Sequence, residues 1–250
     1  MTSEGKNMGG FGVLLNHAID AYQRNLKLIS AFSIPFLIAF PLSLLLPNFV
    51  ALSATFLRIG SIKTDLSTLD SMLIIAAIVF AIVFFSFAIA AINVVVKSQR
   101  TLNRLTSRDI GLIESSTLNL FFIYITAFAV IVAFNLLAFE YAWNPALGML
   151  FGLVVSLLVL FAPQAVVIEE QGLSHAISRS ITLIEKKFSY VILFLITAAI
   201  LLLVNTWFFL ELGKALWFSR FIALIIQSMF ILPFLEVLKT QIYLSKYALL

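Results

Sequence analysis

The chain has 250 residues, of which 62% are apolar and 11% charged, whereas soluble domains carry about 25% charged and about 45–50% apolar residues. This balance excludes a water-soluble fold, because roughly half of any folded surface would face solvent. Cysteine is absent, excluding thiol catalysis, disulfides and cysteine metal sites, and the net charge of +4 is scattered between apolar runs, which argues against nucleic acid as a partner.

Residues 1–10 (MTSEGKNMGG) predict a short disordered lead. No apolar core of signal-peptide length with a small-residue cleavage site follows, so no cleavage is expected. Over 11–26, Phe11, Leu14, Leu15, Ala18 and Tyr22 recur at helical spacing opposite Asn16, Asp20, Gln23 and Lys27. Such a pattern predicts an amphipathic helix lying in the headgroup plane with its apolar face in lipid.

A membrane-crossing helix needs about 20 apolar residues at 1.5 Å each. Spans are predicted near 28–50, 71–96, 115–139, 144–168, 188–210 and 217–240. The first carries Pro35, Pro41 and Pro47, which remove backbone donors and kink it. The sixth offers only Phe221–Leu235 without charge, and reaches full length if Arg220 snorkels and Glu236 sits near the opposite surface. Between spans, further interfacial helices are expected near 98–114 and 172–187, the latter with Leu173, Ile177, Ile181, Ile184 and Phe188 on one side. His17-Ala18-Ile19 and His175-Ala176-Ile177 stand at matching places before a span, and suggest two copies of one unit. Asp109-Ile110-Gly111 is a worn third.

The fold class expected is all-α, a polytopic transmembrane bundle of about six spans in a single membrane domain over 1–250. With a cytoplasmic N-terminus the inner segments hold Lys6, Arg24, Lys27, Lys97, Arg100, Arg104, Arg108, Arg179, Lys186, Lys187, Lys239 and Lys246, against Arg58, Lys63, Lys214 and Arg220 outside. This positive-inside bias places both termini in the cytoplasm of a cell-membrane protein. Trp143, Trp207 and Trp217 fall at the outer face and Tyr22, Tyr190, Tyr243 and Tyr247 at the inner, as interfacial aromatic belts do.

Few residues suggest chemistry. Metal pairs on a helix need about i, i+4 spacing, and His17 and His175 lie on separate helices without an acid at ligand spacing. The intramembrane polar groups Asn93, Asn135, Asn205, Gln164, Gln227 and Glu236 either join helices by hydrogen bonds or line a solute path. Lys239, one turn after Glu236, predicts an interfacial ion pair rather than a proton relay. Walker, GxGxxG, GxSxG and HExxH patterns are missing. No catalytic, cofactor-binding or metal-binding residue is therefore assigned, and no cofactor is expected.

One stretch is distinctive: Ala162-Pro163-Gln164-Ala165-Val166-Val167-Ile168-Glu169-Glu170, then Gly172, His175-Ala176-Ile177 and Arg179-Ser180, with Phe188 opening the next span. It resembles the membrane domain of glycerophosphoryl diester phosphodiesterases and related prokaryotic multi-pass proteins. The resemblance implies a membrane module without the hydrolase, since the His-Arg start of that signature is missing and six spans leave no room for a barrel of about 250 residues. Physically, Pro163 is expected to stop the fourth span and Gly172 to allow the turn. Ser174 would cap the next helix, and Arg179 reach back to Glu169 or Glu170.

The expected function is a non-catalytic membrane protein organising partners or lipids at the cytoplasmic face, with membrane lipids and other membrane or cytoplasmic proteins as partners. A transporter or exporter of a small or amphiphilic solute is the alternative. A lipid-modifying intramembrane enzyme using the acids at 169, 170 and 236 is the third.

Overall fold

The computed structural model describes residues 4–45, 68–98 and 107–245. Among these all regular structure is helical: α1 (Glu4–Arg24), α2 (Leu26–Leu45), α3 (Thr68–Ser98), α4 (Ser107–Glu140), α5 (Pro145–Leu158), α6 (Ala162–Ile168), α7 (Leu173–Lys186), α8 (Phe188–Leu212), α9 (Ser219–Ile226), a π-helical turn (Gln227–Ile231) and α10 (Leu232–Leu244). Five stretches are long and apolar enough to cross a membrane: Ile75–Ser98, Ser107–Glu140, Pro145–Ile168, Phe188–Leu212 and Phe221–Leu244. A shorter apolar helix, Leu26–Ala39, belongs to α2. The chain is an all-α polytopic bundle. Pro47 and the end of the first predicted span, up to Val50, lie outside the described residues.

The centre is α3, whose half from Ala88 to Val96 is almost wholly buried. It packs against α2, α4, α6 and α10. Phe36 of α2, Phe85 of α3 and Tyr124 of α4 form a run of tilted and edge-on ring contacts through it, with centroid separations of 5.2 and 5.7 Å. Between α4 and α5 a tight turn, with Ala142 at φ 51°, is followed by Asn144, whose Oδ1 accepts from the Ala146 N–H at 2.9 Å as an N-cap while Pro145 takes the first turn. The two helices then approach closely at Gly148, where a Cβ would meet Asn135 Oδ1 at 2.0 Å. Small residues let backbones approach in lipid, where van der Waals packing drives association.

Two spans are broken, and each break is repaired from a neighbouring helix. In the fourth, the backbone leaves the α-helix at residues 159–161 and resumes at α6 with Pro163 in the first turn. Proline belongs there because its missing N–H has no helical acceptor in any case. The break strands two groups. The Phe161 N–H donates to Ser180 Oγ of α7 at 3.0 Å, and the Leu160 carbonyl accepts from Lys239 Nζ of α10 at 3.5 Å. In the last span Pro233 follows the π-turn. The carbonyl four residues before it, Met229, accepts from the Tyr22 hydroxyl of α1 at 3.3 Å. Burial pushes the Tyr22 phenol up to about 12.

Several expectations change. The lead expected over 1–10 is helical from Glu4. Gly10 serves packing: a Cβ there would lie 2.6 Å from the Tyr190 hydroxyl of α8. The surface helix expected near 98–114 is, from Ser107, the first turns of the α4 span, and Asp109 accepts there from Ser98 Oγ at 3.1 Å. Among the described residues the third copy of the suggested unit has no separate helix. The stripes of α1 and α7 are partly covered by protein. Phe11 and Ala18, with Leu14, Leu15 and Tyr22 beside them, join the core, and so do Ala176 and Leu183 with Leu173 and Ile184. Apolar periodicity states that a face needs cover but not whether lipid or protein supplies it. Pro163 does not stop the fourth span, which continues to Ile168. Gly172 is not the residue that turns the chain: it is extended, at φ −72° and ψ 170°, and has open space around it. The left-handed residue is Glu170, at φ 54°. Ser174 makes no cap, its hydroxyl lying 3.5 Å from His175 Nδ1.

Candidate functional site

The last span runs eight residues past Glu236, so its carboxylate is inside the bundle rather than at a surface. Lys239 Nζ stands 2.5 Å from Glu236 Oε1, and the two side chains are 8% and 10% exposed. The expected ion pair forms, but buried. Burying two charges costs several kcal/mol per ion unless hydrogen bonds complete the shell. That shell comes from three helices. Gln164 Nε2 of α6 donates to Glu236 Oε2 at 3.4 Å and to Asn93 Oδ1 of α3 at 3.2 Å. Thr240 Oγ1 contacts Asn93 Oδ1 and is 2.9 Å from the Glu236 carbonyl, while Asn93 Nδ2 donates to the Ile89 carbonyl at 2.9 Å. The Gln164 Oε1 atom is buried without a hydrogen-bond partner.

Beside this network lies a cleft of about 620 Å³ lined by α2, α3, α4, α5, the 159–161 break and α10. Its walls are apolar, with Ile82, Phe85 and Ile89 on one side and Phe128 and Leu160 on the other, and its charged floor is Glu236 and Lys239. Tyr124 and Ser156 are its remaining polar lining. Drug-sized ligands occupy pockets of about 300–1,000 Å³, mostly apolar with a few placed polar groups. A smaller cavity of about 250 Å³ shares Ile131 and Ser156 with the cleft and includes Asn135, Gly148 and Gly152.

A second cluster ties helix ends together. Arg179 Nε is 3.4 Å from Glu169 Oε2, and the Tyr243 hydroxyl donates to Glu169 Oε1. Lys97 Nζ donates to the Val167 carbonyl at 2.8 Å and to Glu170 Oε1 at 3.0 Å. This hydrogen bond, and then the charge of Lys97, hold the Glu170 carboxyl below the usual carboxylate range. The ends of α3, α6 and α10 and the flank of α7 are thereby fixed. Of the distinctive stretch, Glu169, Glu170 and Arg179 form ion pairs, Ser180 repairs the broken span, Pro163 opens α6, and Gly172 precedes α7.

Of the other intramembrane polar residues named from the sequence, Gln164 bonds Glu236 directly and Asn93 joins it through Gln164 and Thr240. Asn135 Nδ2 turns back to the Ile131 carbonyl at 2.8 Å, and Asn205 Nδ2 donates to the Ala223 carbonyl at 3.3 Å, linking α8 to α9. Gln227 is half-buried in the π-turn. His17 and His175 are exposed. Sequence reasoning missed Thr240 and Tyr124. Glu236, Lys239 and Thr240 stand at i, i+3 and i+4, a polar stripe on one helix face that already pointed inward.

Fold and site define the class: a multi-pass helical membrane protein with an ionic network buried beneath an apolar cleft. Compared with family models, curated proteins and solved structures, the chain matches none.

Proposed function

We propose that the chain is a non-catalytic, six-span protein of the cell membrane, with both termini cytoplasmic, that holds an amphiphilic lipid within its bundle. The carrying observation is the apolar cleft of about 620 Å³ floored by the Glu236–Lys239 pair. A cleft of this kind suits a molecule with an apolar tail and a polar end. The excess of Lys and Arg in alternate connections supports six spans and the orientation. The outward faces of α1 and α7, which carry His17, Asp20, Arg24, His175, Arg179 and Lys186, suit headgroups or a cytoplasmic partner protein better than acyl chains.

The test is lipid mass spectrometry of the purified full chain, with Ala127→Trp filling the cleft away from the ion pair. A stoichiometric lipid retained by the wild type and lost in Ala127→Trp is expected. Equal lipid content in both would refute the reading.

A second reading, movement of an amphiphilic solute across the bilayer, is favoured by the broken backbone at 159–161 facing the π-turn span through the Leu160–Lys239 contact. Solute flux in proteoliposomes, abolished by Ala127→Trp, would favour it over static binding.

A further inference from the structure

We infer that the cleft fills from the side, through a portal between α4 and α5 that opens into hydrocarbon. Its occupant is then a lipid delivered by the bilayer and not by water; this rests on the cleft being a lipid site. Two adjoining cavities carry the inference. The smaller, of about 250 Å³, lies in the seam between the two helices, with Ile131 and Asn135 of α4 facing Gly148, Gly152 and Ser156 of α5. Ile131 and Ser156 also line the cleft of about 620 Å³, so the two spaces meet at this pair. Ile131 is buried and Ser156 is exposed, which makes the meeting point reachable from outside the bundle.

The depth of the portal decides which medium it meets. Ser156 lies about 16 Å along the helix from Pro145, at 1.5 Å per residue. A hydrocarbon core is about 30 Å thick, so the portal stands near its middle. Met149 and Leu153, which also line the smaller cavity, are 58% and 57% exposed, as lipid-facing side chains are.

The polar groups along the seam turn back on their own helices. Ser156 Oγ donates to the Gly152 carbonyl at 2.7 Å, and Asn135 Nδ2 donates to the Ile131 carbonyl at 2.8 Å. This is how hydroxyls and amides are satisfied where no water reaches them. The seam thus shows hydrocarbon to a passing alkyl chain, and the charges stay behind it at Glu236 and Lys239. Gly152 sets the width. A Cβ there would meet Ile131 Cγ2 at 3.6 Å, an ordinary contact, so a methyl group fits and a longer side chain fills the passage.

The experiment has two arms, both on the full chain. Cysteine is absent from the sequence, so a spin label attached through Ser156→Cys reports on the portal alone. In phosphatidylcholine nanodiscs its collisions with oxygen, which concentrates in hydrocarbon, should outnumber those with a water-soluble nickel chelate. A label at the exposed Leu153→Cys should behave alike, and one at Tyr141→Cys in the α4–α5 turn should show the reverse. In the second arm the purified chain is mixed with excess phosphatidylcholine vesicles, and loss of its retained lipid is followed by native mass spectrometry. Gly152→Leu should slow that loss by about 10-fold or more, since each escape must then open an overpacked seam. Ala127→Trp should hold no lipid to lose. The label arm needs no bulky residue and decides the matter if Gly152→Leu does not fold. A label at 156 that meets the nickel chelate as readily as one at 141 would overturn the side portal and leave the lipid site standing. Equal rates of loss in wild type and Gly152→Leu would do the same. Equal lipid content in wild type and Ala127→Trp would overturn both.

Discussion

Replacing Lys239 by Met keeps most of the side-chain volume and removes the charge. In the wild type the ammonium lies 2.5 Å from Glu236 Oε1, with both side chains about one-tenth exposed. After the change the carboxylate keeps one protein donor, Gln164 Nε2 at 3.4 Å. Breaking a buried pair from one side typically costs about 3–5 kcal/mol, because the remaining charge is left uncompensated. Removing both charges is a different perturbation: replacing a buried pair by apolar groups of similar volume is often neutral or stabilising. Lys239→Met and Glu236→Gln are thus expected to cost about 3 kcal/mol or more each, and the double variant about 0–1. The double then falls roughly 5–6 kcal/mol short of the sum of the singles, by the arithmetic of a double-mutant cycle. The neutral Asn93–Thr240 contact sets the scale for comparison, since hydrogen bonds between membrane helices average about 0.6 kcal/mol in such cycles. The ion pair therefore dominates the network. Unfolding of the full chain in mixed micelles, titrated with a denaturing detergent, measures each term. A Lys239→Met cost below about 1 kcal/mol, or additive singles, would refute the claim that the pair is desolvated.

Gly148→Ala places a Cβ 2.0 Å from Asn135 Oδ1, so the α4–α5 hairpin should lose about 1–3 kcal/mol, as overpacked sites do. Asn135→Ala in the same chain should restore most of it in the same unfolding assay. Glu170→Gly relieves a left-handed residue at φ 54°, worth about 1 kcal/mol, and loses a half-exposed ion pair with Lys97 worth about 0–1 kcal/mol. Stability should change by less than about 1 kcal/mol. Glu170→Ala, which removes the pair without freeing the backbone, should be the less stable of the two. The depressed Glu170 carboxyl implies a contribution present above the ordinary glutamate pKa and lost as pH falls through the lowered value. A small loss of stability below about pH 4.5, absent in Lys97→Met, is the expected signature. Tyr22 has the opposite sign: its contribution is intact below the ordinary phenol range and is lost as pH rises through about 12. Ultraviolet titration should show a phenol ionising near about 12, and Tyr22→Phe should remove that step.

The class of fold was legible because lipid imposes one requirement on every span, a long run without charge. Ile75–Ser98 and Phe188–Leu212 follow the uncharged runs to within a few residues. The last span was legible only in part. Counting charges ends it near Leu235, yet the helix continues to Leu244, because Glu236 and Lys239 neutralise each other and Thr240 and Gln164 complete their bonds. A hydropathy window treats each ionised group as a separate cost and has no means of seeing a partner on the same face. The broken fourth span was hidden for a related reason. Pro163 marks the place, but whether a proline ends a helix or opens the next depends on who serves the stranded groups. Here these are Ser180 and Lys239, distant in sequence.

The largest change concerns α1 and α7, and it bears on function. A stripe such as Phe11, Leu14, Ala18 and Tyr22 is equally satisfied by acyl chains or by another helix, and periodicity carries no information on the choice. What separates the cases is the small residue at the stripe's centre. Ala18 and Ala176 are both wholly buried, as a close helix–helix contact requires. Lipid, which conforms to any shape, would gain nothing from an alanine there. The central residues of both stripes are spent on protein. The polar expense of the fold lies elsewhere, at a buried ion pair, a broken span and a three-helix amide network, and all three meet under one apolar cleft. Stability alone does not favour such an arrangement, since an apolar core of equal volume is as stable or more so. Intramembrane ionisable residues are by default candidate functional groups, and among the described residues Glu236 and Lys239 line the cleft.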